Sequence, residues 1–211
     1  MQPLVRAKSF DVGVRTDLIP HLQTSLTVFR LDLDSELVFA GDAGSTEASR
    51  PTRRTGFELA NYYQISPRVS LDADVAYSKG RFTDFDPVGD HIPGAVEGVV
   101  SAGISFDNVS FGHWGSFFGG LRLRYFGPRP LIEDNSERSH SSSLLNARAG
   151  YHFANGLDLR LDVFNLLNRA VSDVDYFYAS RLPGEPAEGV GDVHLHPAES
   201  WSARLTATWR F

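Results

Sequence analysis

The sequence predicts an all-β, antiparallel architecture: about nine long meander strands forming a portion of a transmembrane β-barrel. Three observations predict it. Apolar and polar residues alternate with period two over most of the chain, the alternating segments outrun soluble strands, and the connections are short and long in strict turn. Helical spacing is scarce. The clearest alternation is Val69 to Ser78, where Val69, Leu71, Ala73, Val75 and Tyr77 oppose Ser70, Asp72, Asp74, Ala76 and Ser78. Leu157, Leu159, Leu161 and Val163 oppose Asp158, Arg160, Asp162 and Phe164 in the same way. Leu145, Ala147, Ala149, Tyr151 and Phe153 form a third such face, and Trp201, Ala203, Leu205, Ala207, Trp209 and Phe211 a fourth.

Weaker alternation fills the gaps. The predicted strands are Ala7–Arg15, Leu22–Asp34, Arg53–Gln64, Val69–Phe82, Ala95–Asp107, Trp114–Phe126, Ser142–Phe153, Leu157–Leu167 and Ser200–Phe211. Each runs about 9 to 14 residues, against roughly 5–6 in soluble sheets and 9–11 for a tilted membrane strand. Ile65 to Arg68 and Ala154 to Gly156 are tight turns by composition, and Thr16–His21 and Asn108–His113 are also short. Between them lie the long links Ser35–Thr52, Thr83–Gly94, Gly127–Ser141 and, longest, Asn168–Glu199. A meander with its tight turns at one end and its long loops at the other meets this pattern, and outer-membrane barrels have that asymmetry. Nine strands is an odd number and leaves two unpaired edges, so the expected arrangement is incomplete.

The character of the two faces separates membrane from sandwich. One face mixes both signs of charge: Glu58, Asp72, Asp74, Glu97, Asp158 and Asp162 against Arg122, Arg124, Arg148, Arg160 and Arg204. The other carries almost no charge, and its aromatics (Tyr63, Tyr77, Phe106, Tyr125, Phe153, Trp201, Trp209) fall mostly at segment ends. Aromatic girdles around an aliphatic band predict that distribution, and a charge on the lipid side would cost roughly 2–4 kcal/mol at the bilayer midplane. A large soluble β-domain with an aromatic-rich core is the alternative.

Composition narrows the function classes. Lys+Arg 20 against Asp+Glu 26, net charge −6, argues against a general nucleic-acid binder. The absence of cysteine removes disulfides, zinc knuckles and thiol catalysis. No apolar run approaches the roughly 18 residues of a spanning helix. Met1 to Val12 shows no secretory signal, which fits a cytoplasmic protein or a chain lacking its natural beginning.

Several segments resemble one family. Asp162-Val163-Phe164-Asn165-Leu166-Leu167-Asn168-Arg169 resembles the "N-L-F-N-L-L-D-R" strand near the end of TonB-dependent outer-membrane receptors, departing at Asp162 (usually Asn) and Asn168 (usually Asp). Arg54-Thr55-Gly56-Phe57-Glu58-Leu59 is similar to that family's entry into a barrel strand, and Leu123 to Pro130 also reads like it. The final alternating strand, with Trp209 and the terminal Phe211, looks like the signal read by the barrel-assembly machinery. The resemblance covers nearly the whole chain. It implies a 22-stranded barrel plugged by an N-terminal domain, of which residues 1–211 correspond to a C-terminal barrel segment; the plug domain, the N-terminal strands, the TonB-contacting box and the signal peptide are then absent. The implied function is TonB-energised uptake of a scarce nutrient, an iron-siderophore or similar small-molecule chelate, captured by outer loops and admitted by plug rearrangement. The implied surroundings are outer-membrane lipid, and the implied partner is the TonB complex, reached through the missing N-terminal region.

Candidate chemistry is sparse. Tyr176, Tyr178 and Arg181 in the longest link suit capture of an anionic, partly aromatic ligand, or else pack within the loop. His194 and His196 project to one side of an extended segment near Asp192 and Glu199, either as metal ligands or as two exposed loop histidines. Asp72 and Asp74 read as a catalytic pair or, beside so many arginines, as part of a charge ladder. No glycine-rich phosphate cradle, Gly-x-Ser-x-Gly elbow or His-Glu-x-x-His motif occurs, and His152 has no nucleophile beside it. No catalytic residue and no cofactor is expected. A passive, porin-like channel and an outer-membrane hydrolase are the competing functions.

Overall fold

Nine strands, seven of them at least 10 residues long, lie side by side in one sheet, each hydrogen-bonded to its neighbours in chain order. The structure, a computed structural model, describes residues 5–40, 45–110 and 112–211, with Phe39 and Ala40 described by backbone alone; Met1 lies outside the described residues. The sheet strands are β1 (Ala7–Thr16), β2 (Leu22–Leu33), β5 (Thr52–Ser66), β6 (Val69–Phe82), β7 (Gly98–Ser110), β8 (Gly115–Phe126), β9 (Ser142–Phe153), β10 (Leu157–Phe164) and β13 (Ser202–Trp209). All pairings are antiparallel, and β1 and β13 are the two edges. Two hairpins sit in the long connections: β3 (Leu37–Ala40) with β4 (Ser45–Ala48), and β11 (Ser172–Ser180) with β12 (Val190–Pro197). Both fall within connections expected as long links, Ser35–Thr52 and Asn168–Glu199, where no two-sided environment forces alternation.

The register carries the predicted faces across the whole sheet. Val28 opposes Phe57, Phe57 opposes Tyr77, and Leu59 opposes Val75, which opposes Val100. Further along, Ile104 opposes Leu121, Leu123 opposes Leu145, and Leu161 opposes both Ala149 and Leu205. Contacts between strands run almost wholly between hydrogen-bonded neighbours, so among the described residues no second layer of strands covers the apolar face. Val14 is 62% exposed and Leu205 72%. A monomer in water rarely exposes a contiguous apolar patch beyond about 300–600 Å², and this one extends across nine strands. Hydrocarbon is the environment in which such a face costs nothing. Backbone geometry agrees: in a bilayer every N–H and C=O must find a partner, and the seven interior strands are paired on both sides.

Strand ends differ from expectation for local reasons. The seventh element begins at Gly98 and not Ala95, because Ala95 is buried in a small loop core with Phe82 and Ile92, and its N–H donates to the Ile92 carbonyl. It runs on to Ser110 through an irregularity between Phe106 and Val109, where Asn108 adopts φ 55°. The β10 strand stops at Phe164, three residues short of Leu167, because Asn165 takes φ 48°. The last strand spans Ser202 to Trp209 inside the predicted Ser200–Phe211.

Two substitutions test the sidedness. Leu123→Arg on the apolar face should lower the unfolding free energy of the bilayer-inserted protein by about 2–4 kcal/mol, near the midplane cost of a lipid-facing arginine. Ala60→Arg, on the polar face of β5, should lower it by under about 1 kcal/mol; urea titration in phosphatidylcholine vesicles, followed by tryptophan fluorescence, reads both.

Candidate functional site

The polar face is organised by arginines that tie neighbouring strands together through shared carboxylates, in one place across a glycine. Asp72 on β6, Gly103 on β7 and Arg122 on β8 stand in one row. Arg122 Nη2 donates to Asp72 Oδ1 at 2.9 Å, passing over the intervening strand. A Cβ on Gly103 would lie 2.8 Å from Asp72 Oδ1 and 3.1 Å from Arg122 Nη2, so a side chain there would push both ends of the bridge aside. Asp72 therefore belongs to the ladder reading and not to a carboxylate pair. Further along, Asp162 is 3% exposed, accepts from Arg148 Nε at 2.6 Å and Arg204 Nη2 at 3.4 Å, and forms an ion pair with Arg160, whose Nε lies 3.0 Å away. One carboxylate thus holds arginines from three adjacent strands. Below it, Asp158 accepts from His152 Nδ1 at 2.7 Å and Arg210 Nη2 at 2.8 Å. The His152 ring stacks on Phe118 at 4.4 Å, and Phe118 lies over Gly150, where a side chain would collide with its ring. His152 is a rung of this ladder, engaged by a carboxylate and an aromatic ring.

The long-loop end is a separate, tightly tied layer. Arg50 sits over the Phe82 ring at 4.0 Å and bridges Glu133 at 2.7 Å, Asp86 at 3.3 Å and Asp84 at 3.7 Å, linking three connections through one guanidinium. Burial, together with the nearby Asp86 and Asp84, pushes the Glu133 carboxyl above its ordinary value, against the pull of Arg50. Asp134 beside it is held below its ordinary value by hydrogen bonds from Ser136. Glu97, expected on the strand face, instead precedes β7 and pairs with Arg138 and Arg81 among the loops.

Asn165 and Asn168 explain the motif at the end of β10. Asn165 is 3% exposed; its Nδ2 donates to the Arg169 and Glu199 carbonyls at 2.9 and 3.1 Å, and its Oδ1 accepts the Arg169 N–H at 2.9 Å. Asn168 Oδ1 accepts the Trp201 N–H at 3.0 Å. Both asparagines adopt positive φ, which Asn tolerates better than most residues, and together they staple the two ends of the longest connection.

That connection carries the β11–β12 hairpin. Of the residues expected to touch ligand, Tyr176, Tyr178, His194 and His196 share one face of the ribbon, Tyr176 directly opposite His194. Tyr178 and His194 stack at 3.8 Å, so the rings pack on each other. Arg181 lies beyond β11, its Nε donating to the Glu185 carbonyl at 3.2 Å. The opposite face of the ribbon, with Asp175, Val193 and Leu195, lines a cleft of about 560 Å³ that also includes His140 and Arg169. A smaller pocket of about 80 Å³ adjoins it, lined by Arg124, Phe126, Arg129, Ser139, His140 and Asp175 among others. Arg129 reaches Asp175 Oδ2 and the Asp173 carbonyl at 3.4 and 3.3 Å, tying the hairpin to the β8–β9 loop. The expected aromatic and histidine residues thus cluster, but the concave surface is on the other side of their ribbon. Alternation places Arg124 on the polar face but marks neither Arg129 nor His140, because no periodicity singles out loop residues.

Comparison with known proteins agrees with this architecture. Residues 5–166 match the family described as TonB dependent receptor-like, beta-barrel. The fold is similar to the ferric yersiniabactin uptake receptor FyuA from Yersinia pestis, with TM-score 0.72 and 16% identity, covering 98% of this chain and 30% of that one. The siderophore receptor PiuA from Acinetobacter baumannii gives 0.66 and 18%, over 95% and 28% of the two chains. The copper transporter OprC gives 0.69 and 19%, over 98% and 31%. The chain spans just under a third of the length of these receptors.

Two outcomes follow from the geometry. Asp162→Ala strands three arginines around a vacated position and should destabilise the folded protein by about 3 kcal/mol or less, the upper end tempered by the half-exposed partners; a shift in unfolding midpoint measures it. Asn165→Ala should leave the barrel folded yet make the 165–201 connection at least about tenfold more sensitive to limited proteolysis, read as cleavage within that segment.

Proposed function

We propose a transport role for this chain, which belongs to the TonB-dependent receptor β-barrel family: it forms the C-terminal wall and outer-rim capture surface of an outer-membrane receptor. The family comprises outer-membrane receptors and transporters, not enzymes. In this reading residues 1–211 are the C-terminal barrel segment, and a plug and preceding strands complete it. The two open sheet edges and the one-third coverage of the similar receptors support that division. The TonB complex then supplies energy through the preceding region, and the barrel-assembly machinery reads the final strand, where Trp209 and Phe211 are exposed.

The proposed cargo is an iron-siderophore or similar anionic chelate. The cleft between the β11–β12 hairpin and the β8–β9 loop carries the proposal: it opens at the long-loop rim, is lined by His140 and Arg169 together with apolar Val193 and Leu195, and adjoins the small pocket of Arg124 and Arg129. Guanidinium groups beside apolar surface suit a ligand with carboxylate or phenolate oxygens and a hydrophobic body. Tyr176, Tyr178, His194 and His196 then form the outward face of the same ribbon, with Arg181 beyond it, the first surface an arriving chelate meets. The cargoes for which similar receptors are named, ferric yersiniabactin and copper, differ from each other, as expected if rim chemistry sets the cargo on a shared wall.

Growth on single ferric siderophores as sole iron source tests the reading. A strain lacking the protein should fail on at least one chelate. Arg129→Ala should cut uptake of that radiolabelled chelate about tenfold, with unchanged abundance in the outer membrane. Normal growth of the deletion strain on every chelate, with ion conductance of the purified protein in planar bilayers, would favour the passive channel instead.

A further inference from the structure

The apolar face is not apolar to its top. Following the register from the middle of the sheet toward the long-loop end, Val14, Leu26, Leu59 and Val75 form one row, and Val12, Val28, Phe57 and Tyr77 the next. The following row is Phe10, Arg30, Thr55 and Lys79, and the one after it is Lys8, Asp32, Arg53 and Arg81, the last engaged by Asp90 and Glu97 of the next connection and so set apart from the patch. Lys8, Arg30, Arg53 and Lys79 are all exposed, on four adjacent strands. The sequence reading of this face as almost free of charge therefore fails in its outer rows.

The position of these cations is not arbitrary. Phe57 and Tyr77, with ring centroids 6.1 Å apart, sit in the row just below, at the level where aromatic side chains mark the edge of the hydrocarbon. One step of two residues along a strand is about 6.7 Å, so Arg30 and Lys79 stand at headgroup depth, where an outward cation costs about 0–1 kcal/mol instead of 2–4. Lys8 to Lys79 spans three interstrand spacings, roughly 14 Å. Within the patch Asp32 orients two arginines: its Oδ2 accepts from Arg30 Nε at 2.7 Å and its Oδ1 from Arg53 Nε at 2.7 Å. Four cations and one carboxylate leave a net charge of +3 at the depth of lipid phosphates.

We propose that this patch is a docking site for a phosphorylated lipid headgroup of the outer leaflet, its acyl chains lying along the Val12–Val28–Phe57 rows below. Charge complementarity and depth select this occupant: a soluble protein cannot reach that level past surrounding lipid, and a zwitterionic headgroup does not match a net +3. Two arginines fixed by one acid present donors in the fork geometry that phosphate oxygens accept, while the flanking lysines act as point charges. The inference needs only the outer-membrane placement and is independent of cargo.

The test uses the full-length protein purified from outer membranes and placed in phosphatidylcholine nanodiscs doped with diphosphorylated, monophosphorylated or dephosphorylated lipid A, with native mass spectrometry counting retained molecules. The wild type should retain the diphosphorylated form at least about tenfold over the dephosphorylated one. The variant carrying Arg30→Gln and Arg53→Gln should lose that preference. A second variant, Lys8→Gln with Lys79→Gln, leaves the Asp32 pairs intact, secures folding, and should reduce the preference about threefold. Equal retention of all three lipids by the wild type overturns the proposal. So does an unchanged preference in either variant that keeps heat-modifiable migration on gels, or full displacement of lipid A by equimolar inorganic phosphate.

Discussion

Everything in this molecule follows from a sheet one layer thick that must satisfy two unlike solvents. Hydrocarbon offers no hydrogen bonds, so the backbone closes on itself strand by strand, and the side of the sheet facing it carries aliphatic and aromatic groups with no protein to cover them. The side turned away can then carry what no protein core tolerates: a dense array of carboxylates and guanidiniums. A soluble fold buries its apolar residues between layers. Here, among the described residues, the only cluster of buried hydrophobic side chains lies outside the spanning rows, around Phe82, Ile92 and Ala95 in the loops.

The polar face shows how a sheet without a second layer still fixes side-chain positions. Adjacent strands alone would set each arginine against a direct neighbour. Gly103 and Gly150 remove intervening side chains, so that Arg122 meets Asp72 two strands away and Phe118 covers the backbone to stack on His152. Asp162 gathers arginines from β9, β10 and β13. Such ties cost little desolvation, because the arginines keep much of their surface in water while the acid provides the shared anchor. The result is a stiff wall beneath a rim whose loops are clamped by Arg50 on one side and by Asn165 and Asn168 on the other. A binding surface set on such supports keeps its shape, and its cargo is chosen by residues that the wall does not constrain.

The same division explains what could be read from the sequence. Period-two alternation is forced wherever a strand separates lipid from a wet interior, and so Val69–Phe82 and Ser142–Phe153 were found to the residue. It is not forced in the connections. The hairpins β3–β4 and β11–β12 lie beyond the bilayer, need not alternate, and were invisible. Boundaries failed where a single residue changes the backbone: Asn165 and Asn168 at positive φ end β10 early, a matter of local hydrogen bonds and not of hydropathy. The rim cleft depends on which face of a ribbon turns inward, and Tyr176, Tyr178, His194 and His196 stand out by composition while Arg129 and His140 do not. The cation rows above Phe57 and Tyr77 were overlooked because only the register across four strands brings Lys8, Arg30, Arg53 and Lys79 together.

The central claim is the sidedness of the sheet, and spin-label accessibility tests it most directly. Nitroxides placed singly from position 99 to 105 on β7 and from 119 to 125 on β8, in the protein reconstituted into lipid bilayers, should alternate with period two. Positions 100, 102, 104, 121 and 123 should collide preferentially with oxygen dissolved in hydrocarbon, and 101, 103, 122 and 124 with a water-soluble nickel chelate. Accessibility to the nickel chelate at both sets, or oxygen accessibility without alternation, would contradict a wall between lipid and water.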